Sequence, residues 1–387
     1  MSEPPLVAGA AAATVHRPGS IPALQALVRD ARGATLVPVG AGTQLDLGRA
    51  PVAPFELVEL AEALGGPISL VEDDLTVAVP AGATLGDIEA VLAPARQRLP
   101  IDPPLAAKST IGGVLASGLG GPLRSRFGQP KDLVLGMTVL RADGELVKAG
   151  GRVVKNVTGY DLMRLWCGSL GTLGIVTEVT LRVYPAVPVV TLTAEVASPQ
   201  EGAALIDRVF RADLRPEVAD ILVEGGRSRV VLTVHERAVQ GVRGFVSGLE
   251  ESPPALLERC RDAGFDAHDV LAVRATTTPS GLATAVQRLN ALRADTLVVR
   301  PLAGFVRAAW SAPGAPGTVE IARAVDALRA EVTPRGGAVI VDRMPARFRA
   351  DLDPWGAPPP GFDLMRKLKA AYDPAGRFNA GRYVGGL

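Results

Sequence analysis

Between Gly150 and Val176 the chain reads GGRVVKNVTGYDLMRLWCGSLGTLGIV, a stretch with six glycines and one acidic residue. Glycine loses more conformational freedom on folding than any other residue. At this density it marks left-handed turns or backbone brought close to a bound group. Two earlier segments share the texture: PVGAGTQ, Pro38–Gln44, and KSTIGGVLASGLGG, Lys108–Gly121. None has the G-x-G-x-x-G spacing that seats a dinucleotide at a helix start, since GAGTQL from Gly40 lacks the third glycine; no G-x-x-x-x-G-K-[ST] loop occurs either. A phosphate can instead lie on successive backbone N–H groups in a strand-to-turn nest. PVGAGTQ offers such a nest, with Thr43 as an extra hydroxyl donor. The second segment supplies Ser109, Thr110 and Ser117 as donors, while Gly112 and Gly113 permit close backbone approach. GSLGTLGIV supplies a turn whose backbone can face a flat ring. A close-packed helix and two tight turns would explain any one segment alone, but they explain the ordered set poorly.

At 387 residues the chain is too long for one ordinary core, so two or three domains are expected. Its 41 basic and 40 acidic residues nearly cancel, without like-charge blocks, which argues against a nucleic-acid protein or a polybasic membrane anchor. Cys167 and Cys260 are its only cysteines, too few for a disulfide framework or for an Fe–S cluster with its usual complement of about four thiolates. They read as reduced thiols of a cytoplasmic protein. The N-terminal apolar run follows an acidic residue and has no basic flank, unlike a signal peptide. No uncharged apolar run approaches the roughly 20 residues of a membrane helix. The expectation is a soluble chain, or one peripheral to a membrane through partners.

Periodicity gives a helix over Ile21–Arg32, a buried strand in ATLVPVG, a strand pair in ISLVEDDLTVAVPAG and a helix after Thr84, with Thr84 as N-cap and Asp87 at the third helical position. ADGE between two apolar runs predicts a hairpin, and TLGIVTEVTLRVYP a long strand ending at Pro185. Beyond Pro185 two rounds of roughly βαββα(β) follow. They suggest ferredoxin-like halves sharing one sheet with helices on one face.

The order PVGAGTQ, DPP, STIGG, KNVTGYDL, GSLGTLGIVTEVTLRVYP resembles the FAD-binding domain of the vanillyl-alcohol-oxidase and p-cresol-methylhydroxylase superfamily, over about residues 15 to 185. LKAAYDPAGRFNAGRY resembles that superfamily's closing motif. Within the superfamily, GGRVVKNVTGYDLMRL with a short cap region is similar to the smaller FAD-binding subunit, the E subunit, of glycolate oxidases. The resemblance implies an α+β fold: a two-part FAD-binding domain of the p-cresol-methylhydroxylase type (1–186), a smaller ferredoxin-like α+β cap (187–350), and a C-terminal segment (351–387) returning to the FAD domain.

It also implies noncovalent FAD. Val39, Gly40, Ala41, Gly42, Thr43 and Gln44 would wrap the pyrophosphate. Pro104, Ser109, Thr110, Gly113, Ser117 and Gly118 would follow the ribityl and phosphate region. Gly171, Thr172, Leu173, Gly174, Ile175 and Val176 would contact the adenine or ribityl part, with the isoalloxazine between FAD domain and cap. Lys155, Asn156, Tyr160 and Asp161 would be scaffold near the cofactor, Tyr160 and Asp161 serving equally well as a buried hydrogen-bonded pair. The implied function is to support oxidation of glycolate, a 2-hydroxy acid, to glyoxylate, with electrons passing to partners. Those partners are a larger FAD-binding catalytic subunit and an Fe–S subunit, with contact to the inner face of a membrane only through them. A stand-alone FAD-dependent hydroxy-acid or alcohol dehydrogenase and a non-catalytic structural subunit of the same fold are the alternatives.

The chain departs from the larger subunit's pattern. Leu170 stands where GSEGTLG carries Glu, and no HGDGNxH cluster occurs. His16, His235 and His268 are far apart in sequence, so neither a catalytic base nor a metal site is identified. Arg274, Arg300, Arg343 and Arg347 in the cap could clamp a carboxylate bidentately, or serve only solvation. The first glycine loop holds no Cys or His for covalent flavin attachment.

Overall fold

A computed structural model describes residues 4–31, 33–151, 161–312 and 314–387. Lys155, Asn156 and Tyr160 lie outside the described residues. The chain divides into two units: Met1–Gly120, Gln129–Ala186 and Ala357–Leu387 form the first, and Gly121–Gly128 with Val187–Gly356 the second.

Among the described residues unit 1 contains two larger sheets and one two-stranded pair. In the smaller, Phe55–Glu59 lies between Thr14–His16 and Thr35–Val39 and is parallel to both. The larger is antiparallel, in the order Ser69–Val71, Thr76–Pro80, Ile175–Arg182, Val134–Leu140, Leu146–Gly150. The strand read as running to Pro185 stops at Arg182, and Tyr184–Pro185 pairs instead with Gln97–Arg98. Local chemistry sets the helix starts. Ser20 accepts from the Ala23 N–H at the head of Ile21–Asp30, whose Leu24 and Val28 are buried one turn apart. Thr84 and Asp87 form a reciprocal capping box on Leu85–Leu92. The core joins Leu24, Val28 and Leu36 to Val77, Val139, Val179 and Leu181, all 0% exposed. Each contributes about 1.5–3 kcal/mol by leaving water.

Unit 2 is built on an eight-stranded antiparallel sheet. Its order is Glu250–Glu251, Val189–Val196, Arg227–His235, Val218–Glu224, Thr296–Arg300, Phe305–Ser311, Asp269–Thr276, Ala338–Arg343. Each half runs 4-1-3-2 in its own strand numbering. The two halves meet through their second strands, Val218–Glu224 against Thr296–Arg300, as two ferredoxin-like units side by side. Strand alternation sends Ile221, Val299, Val306, Val273 and Val341 to one face, where helices Pro199–Arg211, Pro279–Ala291 and Thr318–Val332 cover them.

The expectation of helices on one face needs correction. Pro254–Asp262 buries Cys260 against Leu222, Val231 and Val298 on the opposite face. The helix that follows Arg227–His235 is short, Val239–Arg243, and ends beside Gly244.

Candidate functional site

Three glycine segments of unit 1 line one open cleft. The first leaves the strand Thr35–Val39. A Cβ on Gly40 would fall 2.2 Å from Thr110 Oγ1, so only glycine lets this loop close on the second segment. Gly42 has φ +73°, a left-handed turn that swings the loop round the cleft. Thr43 Oγ1 lies 3.0 Å from Ser109 Oγ, which also donates to the Leu105 carbonyl at 3.1 Å.

The second segment is the helix Ile111–Ser117, with Thr110 as N-cap. Gly112 rests on Ala81, whose Cβ and carbonyl would each stand 3.0 Å from an added Cβ. The third is held on the end of that helix: Gly168 N–H donates to the Leu115 carbonyl and Leu170 N–H to the Ala116 carbonyl, both at 2.8 Å. Gly171 follows at φ +69°.

Of the residues singled out in the sequence, the cleft brings together Val39, Gly40, Ala41, Gly42, Thr43, Gln44, Thr110, Gly113, Ser117, Gly171, Gly174, Ile175 and Val176. Pro104 and Ser109 stand behind this wall, the Pro104 carbonyl accepting from Ser109 Oγ at 3.4 Å. Gly118 ends the helix in the left-handed region, packed toward Gly168. Thr172 and Leu173 line a neighbouring cleft with Cys167 and Lys369. Asp161 is half-exposed and pairs with Arg164 at 2.7 Å rather than lying buried.

The cleft is also lined by Trp166, Leu170, Asn379 and Arg382, none of them among the candidates named from the sequence, although Leu170 lies in GSLGTLGIV and Asn379 and Arg382 in the closing motif. Trp166 is a generic core residue by type. Asn379 and Arg382 arrive from the far end of the chain.

The histidines are dispersed in space as well. His16 pairs with Glu56 at 2.7 Å and His235 with Glu217 at 3.7 Å. Among the described residues no group of three metal-ligating side chains occurs. Burial pushes the Cys167 thiol up to about 12, far from a reactive thiolate. In unit 2, Arg274 and Arg300 come together with Arg124 and Arg307 around Phe305, Asp220 and Asp342. Arg343 donates to the Asp266 carbonyl and Arg347 covers Phe348.

Residues 12–150 match the family model described as an FAD binding domain. They are an FAD-binding domain, and its cofactor is FAD. The chain is 32% identical over 270 residues to the D-2-hydroxyglutarate dehydrogenase of Xanthomonas citri pv. viticola, a match covering 66% of this chain and 56% of the relative. It is 43% identical over 113 residues to the glycolate oxidase subunit GlcE of Escherichia coli, covering 29% of this chain and 32% of that one. The chain thus spans from about a third to just over half of these relatives' lengths. Among solved structures, an alkyldihydroxyacetonephosphate synthase aligns with 94% of this chain and 75% of its own at a TM-score of 0.70 and 15% identity, which shows a common fold.

The cleft suits FAD on its own chemistry. Gln44 Nε2 and Oε1 are buried in its wall without a hydrogen-bond partner, as is the Trp166 indole N–H. Unpaired buried donors and acceptors are costly, and a ligand rich in both would satisfy them. An added Cβ at Gly40 would collide with Thr110, and one at Gly112 would crowd Ala81, so bare backbone packs the wall closely at both points.

Proposed function

We propose that the chain is an FAD-dependent oxidoreductase supporting the oxidation of a short 2-hydroxy acid, as the smaller flavin subunit of a glycolate-oxidase-type assembly. The observation that carries this reading is the glycine-walled cleft with the unpaired Gln44 amide, inside a chain whose relatives bear the names glycolate oxidase subunit and D-2-hydroxyglutarate dehydrogenase. In this reading the backbone N–H groups of Val39–Gln44 hold the pyrophosphate, with the Thr110 and Ser117 hydroxyls beside it. Ile175 and Val176 give apolar contact and Gln44 fixes the nucleotide's orientation. Attachment is noncovalent, since the lining described holds no Cys or His. Unit 2 acts as the cap.

Bound FAD would supply hydride acceptance, and the protein supplies position and electrostatics. Oxidation of a hydroxy acid also needs a base for the hydroxyl proton. Arg382 is the one ionisable side chain in the described lining, and an arginine stays protonated. In this reading the described lining would hold a cofactor and brings no base to it. That supports an assembly in which a larger flavin subunit does the proton chemistry and an Fe–S subunit drains electrons, with any membrane contact made through those partners.

The test is an absorbance spectrum of the isolated chain, then of the chain with glycolate under anaerobic conditions, alone and with candidate partner subunits. The expected result is a flavin spectrum that glycolate bleaches only once partners are present. Bleaching of the chain alone would overturn the subunit reading, and a folded, colourless chain that takes up no added FAD would overturn the flavin role.

A further inference from the structure

Unit 2 carries four guanidiniums on the sheet face opposite its three long helices. Arg274 belongs to Asp269–Thr276, Arg300 ends Thr296–Arg300, Arg307 lies in Phe305–Ser311, and Arg124 enters from Arg124–Phe127. The guanidinium carbons of Arg300, Arg307 and Arg124 stand 4.7, 5.3 and 5.5 Å from the centre of the Phe305 ring. An aromatic ring has two faces, so it cannot accommodate three cations equally.

Two carboxylates answer the four cations. Asp220 accepts from Arg300 Nε at 3.0 Å. Asp342 accepts from Arg274 Nε at 2.6 Å and from Arg307 Nη2 at 3.3 Å. Among the described residues, Asp220 is the carboxylate that favours the charge on Arg124, and Asp342 the one that favours the charge on Arg307. Two positive charges remain without a counter-ion. Arg300, Asp220 and Asp342 are 0% exposed and Arg307 is 1% exposed, so water does little to screen the surplus. Burial first, and then Arg300 and Arg274, push Arg124 down to about 10; burial and the same two arginines push Arg307 down to about 10 as well.

Free valences accompany the surplus. Arg300 Nη1 and Arg307 Nε are buried without a partner, and Asp220 Oδ1 is an acceptor without a donor. Arg124 is half-buried and the Arg274 side chain is 16% exposed, so the cluster opens to solvent at these two. A cluster with only a structural role would be closed by carboxylates of its own, because uncompensated buried charge is strongly unfavourable.

We propose that this arginine cluster is a binding site for a small dianion, with two oxyanion charges matching the two surplus guanidiniums. Planar guanidiniums take carboxylate and phosphate oxygens alike, so the shared chemistry is that of a dicarboxylate or a phosphate. The open donors of the arginines face the oxygens. Asp220 Oδ1 accepts from a hydroxyl of the ligand. The inference stands on unit 2's own residues and does not depend on the flavin reading.

The experiment is calorimetric titration of the full FAD-loaded chain with succinate, with inorganic phosphate and with acetate, at constant ionic strength, repeated on Arg124→Met and on the exposed neighbour variant Arg126→Met. One dianion should bind at least about tenfold more tightly than acetate, and Arg124→Met should weaken it about tenfold or more while Arg126→Met leaves it unchanged. Preference for succinate or for phosphate identifies the source. A thermal-unfolding scan without ligand separates binding from structure. Removing a surplus cation should leave Arg124→Met as stable as wild type but without the ligand-induced rise in Tm. Dianions binding no better than acetate to the wild-type chain would overturn the proposal. So would an Arg124→Met protein that loses stability yet binds as wild type.

Discussion

Lys369 Nζ donates to the backbone carbonyl of Thr172 at 2.8 Å, across 197 residues of sequence. The same ammonium donates to the Phe378 carbonyl at 2.9 Å and to Asp373 Oδ2 at 2.6 Å. Around this post the C-terminal segment reaches back to the cleft. Asn379 Nδ2 donates to the Leu170 carbonyl at 2.8 Å, and Arg382 Nη2 to the Leu45 and Leu47 carbonyls at 2.9 and 2.7 Å. The first and third glycine loops are thus tied through one short stretch at the end of the chain.

Lys369→Met should therefore act on both stability and cofactor retention. It removes three hydrogen bonds and leaves Asp373, which is 1% exposed, without its cation. Breaking one side of such a buried pair costs about 3–5 kcal/mol. The transition of unit 1 in urea should move to lower denaturant by a corresponding amount, and FAD should dissociate faster from the variant. Lys369→Met with Asp373→Asn should recover part of the loss in a double-mutant cycle. An unchanged single variant would show that the post bears no load.

Gly40→Ala is expected to separate folding from cofactor binding. The new methyl would meet Thr110 Oγ1, and the first loop must move outward to admit it. The strand before the loop is untouched, so far-ultraviolet circular dichroism should match wild type. The flavin-to-protein absorbance ratio of the purified variant should fall by about tenfold, consistent with a misplacement penalty above 1 kcal/mol. Full flavin content would remove this loop from the cofactor's binding surface.

Much of this architecture was legible in the sequence because it rests on local signals. The Thr84–Asp87 box, the ADGE hairpin and the strand–helix–strand–strand rhythm after Pro185 depend on spacing within a dozen residues, and the structure has each of them. The helix Pro254–Asp262 was hidden because Cys260 is the one residue it fully buries, which leaves hardly any apolar periodicity. The closing motif marked the C-terminal segment, but the contacts it makes were hidden for a different reason. Its acceptors at Leu45, Leu170 and Thr172 are backbone carbonyls, which any residue supplies. The arginine cluster combines both difficulties: its members come from four separate elements and become unusual only once their two carboxylates can be counted.

The capping box gives a pH-dependent expectation. Hydrogen bonds from the Thr84 hydroxyl first, and then from its backbone N–H, hold the Asp87 carboxyl below its ordinary 3.8. A carboxyl depressed in the fold stabilises it above the unfolded value, and that contribution disappears as pH falls through the folded value. Thr84→Ala should cost about 1 kcal/mol at neutral pH through loss of the cap. The gap between the two proteins, measured by denaturant titration from pH 6 down to the acid limit of about pH 2, should narrow only below 3.8. A gap independent of pH would assign the cap to Thr84 alone.

The two cysteines should be inert in the folded chain. Burial raises the Cys167 thiol to about 12, with Lys131 and Arg164 offsetting only part of the effect, and Cys260 is 0% exposed. At pH 8 a thiol of that acidity is ionised to roughly one part in ten thousand, against about a quarter for an ordinary cysteine. Alkylation by iodoacetamide should then run about a thousandfold slower than for a free thiol and rise about tenfold per pH unit, until urea exposes both groups. Because Cys167 lines the cleft beside Lys369 and not the glycine-walled one, Cys167→Ser should keep its full complement of FAD. Rapid labelling of Cys167 at pH 8 in the native protein would show that burial does not hold the thiol protonated, and loss of flavin in the serine variant would place that side chain at the cofactor and redraw the boundary between the two clefts.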